Sequence, residues 1–287
     1  MLGCSHNYYL ILIMLNLVLT PLSKEELSEF FDKNALEVIN FYLKKSVFSQ
    51  PEKRQDQEDL PIQIPKEHIE QWMVQALGVE PIGAGSYPVD VIDRHWGADV
   101  KMLSCKLDIN GKLTNADSGE TSLAQKFGDL NFGEENTLDG LFSQGRRELI
   151  WTYWKDILVK KYEKVENDHN ITDIYYFIML RANTVFHLCG LKVDLSKLED
   201  TTINENRSTK NSIWIAKFIE DKYGHIKIYK AKKRLELRLK PKKWVEDNLV
   251  ISFDTRFKQI NADIRQKVAN NELESYIDKV LVPIIKR

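Results

Sequence analysis

The hydrophobic pattern of this chain changes period several times along its length, and this alternation limits the folds it can adopt. Over residues 23–45 and 66–77 the apolar residues recur at helical spacing, and after Gly78 they fall into short runs rich in β-branched residues, which are typical of strands. A long helical pattern over residues 138–162 follows, and strand-like runs come next at 174–180 and 184–191. The order helix, strands, helix, strands predicts an α/β or α+β fold around a mixed sheet.

Helical segments are predicted before the first strand. Ser23 and Glu26 have the spacing of a capping box, and the helical pattern that follows ends near Lys45. Residues 50–59 are polar and charged, so we interpret them as a linker. Pro65 then precedes a helix over residues 66–77. We therefore divide the chain into an N-terminal helical segment with its linker, residues 1–60, and a main domain, residues 61–287.

Charge and cysteine content exclude some classes of protein. The 41 basic residues are matched by 42 acidic ones, so the chain has no overall positive charge to attract a nucleic acid, although a positive surface can be confined to one cleft. The three cysteines, Cys4, Cys105 and Cys189, are far apart in the sequence. This spacing argues against a zinc site and a disulfide framework, and it predicts a cytoplasmic protein.

The apolar run over residues 8–19 has several interpretations. It is shorter than the roughly 20 residues that span a bilayer. A secretory signal would have Lys or Arg before its apolar run, and neither precedes this one. We interpret it as a buried helix or strand, or as an over-long start with Met14 as the true first residue. A membrane anchor ranks third, and we expect no membrane partner.

The stretch over residues 85–106 carries the residues with the clearest chemistry. If residues 94–97 form a four-residue hairpin loop, Asp90 lies opposite Lys101 and Ile92 lies opposite Asp99. Opposed residues, and residues two apart on one strand, point to the same face. Asp90, Asp99 and Lys101 then share one face. The other face takes the apolar residues Val89, Val91, Val100 and Met102.

Two carboxylates and an ammonium group in this arrangement suit the hydrolysis of a phosphodiester. Carboxylate oxygens bind hard divalent cations such as Mg²⁺. An adjacent lysine can orient or deprotonate the attacking water and offset the charge of the phosphate. The alternative is an ion-paired surface hairpin without catalytic function.

The elements Pro88-Val-Asp90 and Asp99-Val-Lys101 resemble the PD-(D/E)XK nuclease superfamily, which includes many type II restriction endonucleases. The proline lies two residues before the first aspartate, whereas the pattern places it next to that residue. The resemblance covers roughly residues 66–107. It implies a restriction-endonuclease-like α/β fold, in which helices flank a central mixed sheet, and catalysis by Asp90, Asp99 and Lys101 with Mg²⁺ held by the two aspartates. It also implies a glutamate on the preceding helix, either Glu70 or Glu67.

A second charged feature lies between residues 222 and 243, where ten Lys or Arg residues face a single acidic residue, Glu236. Such a stripe can neutralise the phosphates of a duplex, although it is also compatible with a solvated pair of strands. The residues predicted to contact DNA are Lys230, Lys232, Lys233, Arg234, Arg238 and Lys240.

These features together predict a Mg²⁺-dependent type II restriction endonuclease that cuts double-stranded DNA at a specific sequence. Cutting both strands with one active site per chain favours a homodimer on a palindromic site. One alternative is a repair or recombination nuclease of the same superfamily. Another is a DNA-binding protein without catalysis, in which Asp90 and Lys101 form a structural ion pair.

Overall fold

The computed structural model describes residues 16–58, 62–82, 87–124, 137–256 and 258–282, and within these ranges it describes only the backbone of Lys66, Glu67, Pro81 and Leu281. Most of the apolar run at residues 8–19 therefore lies outside the described part. Its last residues are described: Val18 and Leu19 are buried, and β1 (Leu19–Pro21) pairs with a central strand. The end of the run is therefore buried, and its last residue begins a strand.

A seven-stranded mixed sheet forms the centre of the fold, in the order β1-β7-β6-β4-β3-β2. Its remaining strands are β2 (Glu80–Pro81), β3 (Val91–Ile92), β4 (Trp96–Ser104), β6 (Asp173–Ala182) and β7 (Val185–Val193), and β12 (Ile251–Asp254) pairs with β7 beside β1. β4 and β6 run parallel, and the other pairs are antiparallel. The expected mixed α/β sheet is present.

Three helices cover one face of this sheet. They are α1 (Lys24–Phe30), α2 (Lys33–Phe48) and α3 (Lys66–Leu77). Apolar side chains such as Leu27, Ile39 and Met73 pack in one cluster with Val100 and Phe177 of the sheet. Because α1 and α2 bury their apolar sides in the same cluster as α3, the predicted division near residue 60 does not separate two cores.

The other face packs against a long helix and a second sheet. The helices here are α4 (Leu138–Ser143) and α5 (Arg147–His169). The second sheet is antiparallel, in the order β5-β11-β10-β9-β8, with β5 (Thr121–Ala124), β8 (Thr202–Ile203), β9 (Ser212–Ala216), β10 (Gly224–Tyr229) and β11 (Arg234–Leu239). Trp154 of α5 and Leu237 of β11 lie in one apolar cluster with Ile178 of the central sheet.

Shorter elements complete the described chain. A 3₁₀ helix (Leu195–Asp200) precedes β8, a second one (Lys230–Lys232) joins β10 to β11, and α6 (Pro241–Glu246) precedes β12. α7 (Ile264–Ala269), α8 (Leu273–Tyr276) and a π-helical turn (Ile277–Leu281) follow. Across the ranges described, no helix has both the length and the apolar character needed to cross a membrane.

Candidate active site

The candidate site lies on the central strand β4, on the face that packs against α5. Ala98 and Val100 point to the helical layer of α1–α3, where both are fully buried. Because side chains alternate along a strand, Asp99 and Lys101 point the other way. Asp99 is only 5% exposed, so it is a carboxylate inside the protein rather than on its surface.

The hairpin that carries Asp90 has a shorter loop than the sequence suggested. Val91 pairs with Ala98 and Ile92 pairs with Gly97, and the Asp93 amide donates to the Trp96 carbonyl at 2.9 Å. The loop is therefore the pair 94–95, and the predicted register was wrong by two residues. A shift of two preserves the face of each side chain, so the polar residues still converge.

In the observed register Asp90 comes level with Asp99 rather than with Lys101. One apolar residue also changes sides. Val89 packs in the cluster that contains Leu103, on the face of Asp99, and not with Val91 as predicted. The pairing between β3 and β4 stops at Val91, and the Asp90 amide still donates to the Ala98 carbonyl at 2.9 Å.

Where the β3–β4 pairing ends, the Asp90 carboxylate accepts a hydrogen bond from the backbone of β4. Its Oδ2 accepts the Val100 amide at 2.7 Å. The Val100 carbonyl in turn accepts from Lys101 Nζ at 3.2 Å. Lys101 Nζ also lies 3.6 Å from Asp90 Oδ2 and donates to Asp99 Oδ1. The three residues predicted from the sequence thus form one cluster around the Val100 peptide.

A fourth charged residue, Lys161 of α5, completes the cluster and was not predicted. Its Nζ lies 3.4 Å from Asp99 Oδ2 and donates to the Leu123 carbonyl at 2.9 Å. The same ammonium lies 3.5 Å from the Tyr176 hydroxyl, which is hydrogen-bonded to the hydroxyl of Tyr162. Asp99 is therefore held between two lysines, one at each carboxylate oxygen.

The spacing of α5 does contain a signal for Lys161. This residue follows the buried Trp154 by seven positions and Leu158 by three, so it falls on the buried side of the helix. A lysine at a core position needs a carboxylate or carbonyl partner, because burying an unpaired charge is unfavourable.

Burial and the neighbouring charges give the two carboxyl groups different pKa values. Burial, followed by the adjacent Asp99 carboxylate, raises the pKa of Asp90 to about 7. Burial also disfavours ionisation of Asp99, but the ammonium groups of Lys161 and Lys101 outweigh it and hold the pKa of Asp99 below its usual value. Asp99 is therefore the permanent anion of the cluster, while Asp90 titrates near neutral pH.

The same interactions keep both lysines charged. Burial alone would lower the pKa of Lys101, but Asp99 and Asp90 outweigh it and raise that pKa above its usual value. The pKa of Lys161 is likewise raised, by Tyr162 and Asp99, in spite of burial. In the metal-free protein Lys101 is thus a cationic hydrogen-bond donor and not a base.

Glu70, the predicted fourth residue of the site, is not joined to the cluster. It lies on α3, whose buried residues Ile69 and Met73 pack on the opposite face of the sheet with Val100. Within the described residues, no hydrogen bond or ion pair connects Glu70 to Asp90, Asp99 or Lys101. The side chain of Glu67 lies outside the described part, so a contribution from α3 stays a prediction.

Part of the predicted basic stripe lies on β11 of the second sheet, where two acidic residues pair with it. The Arg234 Nε donates to Glu236 Oε1 at 3.0 Å, and Glu236 is fully buried. Glu120, which was not predicted, accepts from Arg238 at 2.8 Å and from Lys232. Its bond to Lys232 is the main reason that the pKa of Glu120 is lowered.

The other predicted DNA contacts are less tightly held. Lys233 lies 3.1 Å from Asp139, and both side chains are exposed. Lys240 donates to the Asp221 carbonyl at 2.5 Å, and this backbone contact does not neutralise its charge. Lys230 is half-buried in the 3₁₀ turn before β11. The stripe therefore divides into a central part, whose cations pair with two carboxylates, and a looser group of three lysines.

No protein-family model, curated protein or solved structure matches this chain. The residues themselves must therefore carry any functional argument. In the parts of the chain that are described, no group of three or more His, Cys, Asp and Glu side chains is placed to hold a metal ion. The Asp90–Asp99 pair supplies two carboxylates, and the Val100 amide donates to that of Asp90.

Proposed function

We propose that this chain is a Mg²⁺-dependent endonuclease for double-stranded DNA, acting through Asp90, Asp99 and Lys101. The proposal rests on the convergence of these three side chains at the end of the β3–β4 ladder. They come together even though the register differs from the expected one. A sequence-specific enzyme of the type II restriction class, working as a homodimer, is the form of this activity that the sequence resemblance favours.

The donor set fits Mg²⁺ in kind and number. Asp90 and Asp99 would hold the ion, and Mg²⁺ commonly takes only one or two protein carboxylates, with water and substrate oxygens as its other ligands. When bound, Mg²⁺ lowers the pKa of a coordinated water and offsets negative charge on the scissile phosphate. The low pKa of Asp99 supports this role, since a ligand carboxylate must be ionised.

Lys101 supplies a positive donor beside the two carboxylates. Its raised pKa means that it enters the reaction protonated, so it orients the attacking water or a phosphate oxygen by donating a hydrogen bond. The Val100 peptide fixes both sides of the cluster, because its amide holds Asp90 and its carbonyl holds Lys101.

The looser lysines of the basic stripe, Lys230, Lys233 and Lys240, are the better candidates for phosphate contacts. Lys232, Arg234 and Arg238 are committed to Glu120 and Glu236, so they would have to exchange a carboxylate for a phosphate.

One observation favours a second candidate, a DNA-binding protein without catalysis. When Asp90 is ionised, the two carboxylates are balanced by two ammonium groups, Lys101 and Lys161, so the cluster can be neutral without a metal. A structural ion-pair cluster of this kind would account for the geometry but not for any hydrolysis.

Cleavage of supercoiled plasmid DNA in Mg²⁺ tests the proposal. We expect the wild-type protein to nick or linearise the plasmid in Mg²⁺ but not in EDTA, with discrete fragments if the enzyme is sequence-specific. Asp90→Asn keeps an acceptor for the Val100 amide but removes the ligand charge, so cleavage should fall at least about 10²-fold. Asp93→Asn, in the same hairpin but exposed, is the matched control and should cut like the wild type. Equal cleavage by both variants would contradict the assignment.

A further inference from the structure

The two lysines that flank Asp99 are held in different ways. Lys101 bonds to Asp99, to Asp90 and to the Val100 carbonyl. These three partners belong to the site where a divalent cation would bind. If such a cation takes the two carboxylates, Lys101 loses its main partners.

Lys161 is anchored outside the site as well. Besides Asp99, it contacts the Leu123 carbonyl of β5 and the Tyr176 hydroxyl of β6. Its ammonium also lies 4.8 Å from the centre of the Tyr162 ring and 5.7 Å from that of Tyr176. A cation at the carboxylates disturbs only one of these contacts, so Lys161 keeps its place.

The two carboxylate oxygens of Asp99 are divided between these lysines. Oδ1 accepts from Lys101, and Oδ2 faces Lys161. An ammonium group and a divalent cation cannot both lie against the same carboxylate oxygen without strong repulsion. The exchange must therefore occur at Oδ1, while Oδ2 keeps its counter-charge.

We propose that Lys161 is a positioning residue, the fixed counter-ion of Asp99, and that Lys101 is an exchangeable counter-ion that a divalent metal ion displaces on entry. This inference rests on the proposed metal-dependent site. It makes Lys101 a surrogate cation in the metal-free protein, which becomes free to engage a water or a phosphate oxygen only when the metal has taken its partners.

The first test is made in EDTA and needs no metal. We compare the thermal midpoints of Lys101→Met, Lys161→Met and Lys164→Met. Lys164 lies one turn further along α5, is 55% exposed and pairs with Asp168, so it is the matched control. We expect Lys161→Met to lower the midpoint most, because it leaves the Leu123 carbonyl and Asp99 Oδ2 without their buried donor. An equal or larger loss in Lys101→Met would overturn the fixed role of Lys161.

The second test measures Mn²⁺ affinity by calorimetry on the same proteins without DNA. Removing a competing ammonium should tighten Mn²⁺ binding, and we expect this gain to be about tenfold larger for Lys101→Met than for Lys161→Met. Lys164→Met should bind Mn²⁺ like the wild type. A gain in Lys161→Met that equals or exceeds that in Lys101→Met would overturn the exchange.

The outcomes separate this inference from the proposed function. Mn²⁺ binding with equal gains refutes the exchange and leaves the metal site standing. Failure of the wild type and Lys101→Met to bind Mn²⁺ at all refutes both, while the midpoints in EDTA still decide the role of Lys161. If Lys161→Met does not fold, Lys161→Gln keeps a donor for the Leu123 carbonyl, and the same comparisons apply to it.

Discussion

The residues of the cluster differ in the pH range over which they are charged, and their proposed roles follow from this difference. Asp99 has a lowered pKa and Lys101 a raised one, so both stay ionised around neutral pH. Asp90, with a pKa of about 7, is the group that changes charge there. The sequence showed that these residues share a face, but it could not show their depth, because burial depends on α5 and on the second sheet.

The raised pKa of Asp90 predicts a pH-dependent stability in EDTA. Its pKa is about 7 in the folded protein against an ordinary 3.8, so the folded protein binds this proton more tightly than the unfolded chain does. The resulting stabilisation of the folded protein is fully present below pH 3.8 and is lost as the pH rises through 7. A shift of about three pKa units corresponds to at most about 4 kcal/mol. Asp90→Asn cannot titrate, so its thermal midpoint should exceed that of the wild type at pH 8 and depend less on pH.

Thermal unfolding in EDTA between pH 5 and pH 8 checks this expectation, because this range spans the Asp90 pKa of about 7. Asp93→Asn should follow the wild type, since the side chain of Asp93 is exposed. Parallel curves for Asp90→Asn and the wild type would show that Asp90 stays ionised over this pH range and would contradict its raised pKa.

Among the helices and strands, those with a strong local signal were predicted well. α3 has the predicted bounds, and its C-terminal Gly78 has the left-handed φ of 64° that glycine allows. The predicted strands at 174–180 and 184–191 are β6 and β7. The segment predicted as a helix over residues 138–162 is instead two helices, because the chain turns at Gly145 with φ 68°. A glycine inside a helical pattern did not by itself reveal a break.

Other elements depended on contacts that the local sequence does not contain. The first helical segment is split at Asp32, which caps α2 by accepting the Ala35 amide. The register of the β3–β4 hairpin depended on the choice between a two-residue and a four-residue loop. Both choices give the same alternation of faces, so hydrophobicity could not distinguish them.

One glycine in the second sheet provides a test of its packing. A Cβ at Gly224 would lie 2.6 Å from the backbone carbonyl oxygen of Arg238, which cannot move without disturbing β11. We expect Gly224→Ala to destabilise the protein by about 1–3 kcal/mol. Gly119→Ala is the control, since its Cβ would meet backbone atoms of Ser104 only at 3.6 Å and beyond. Denaturant unfolding measures both, and equal stability of the two variants would argue against this β10–β11 pairing.

At the level of the whole molecule, the second sheet reaches the candidate site through β5. The Leu123 carbonyl of β5 binds Lys161, and β5 pairs with β11, which carries Arg234 and Arg238. These contacts join residues far apart in the chain, and so does the pairing of Glu120 with Lys232. Neither Glu120 nor Lys161 could be assigned to a partner from local pattern, because only the packing of the two sheets sets those distances.

The ion pairs between Glu120 and the basic stripe lead to a prediction about DNA affinity. Glu120→Gln removes one of the carboxylates that hold Lys232, Arg234 and Arg238, so these cations become available to phosphates. We expect tighter binding to duplex DNA and a steeper salt dependence, by roughly 0.9 in the slope of log K against log salt for each added phosphate. Glu37→Gln, an equal charge change on the exposed side of α2, is the control. Unchanged affinity in Glu120→Gln would place the DNA elsewhere.

The most direct test of the central claim, that the cluster is catalytic, is single-turnover cleavage by Lys101→Met in Mg²⁺, with DNA affinity measured in Ca²⁺ on the same preparation. The variant keeps the aliphatic stem of Lys101 and removes only its ammonium. We predict an unchanged DNA affinity and a cleavage rate that falls roughly 10²–10⁴-fold at every Mg²⁺ concentration. A changed thermal midpoint with a wild-type cleavage rate would contradict the account and leave Lys101 as an ion-pair partner alone.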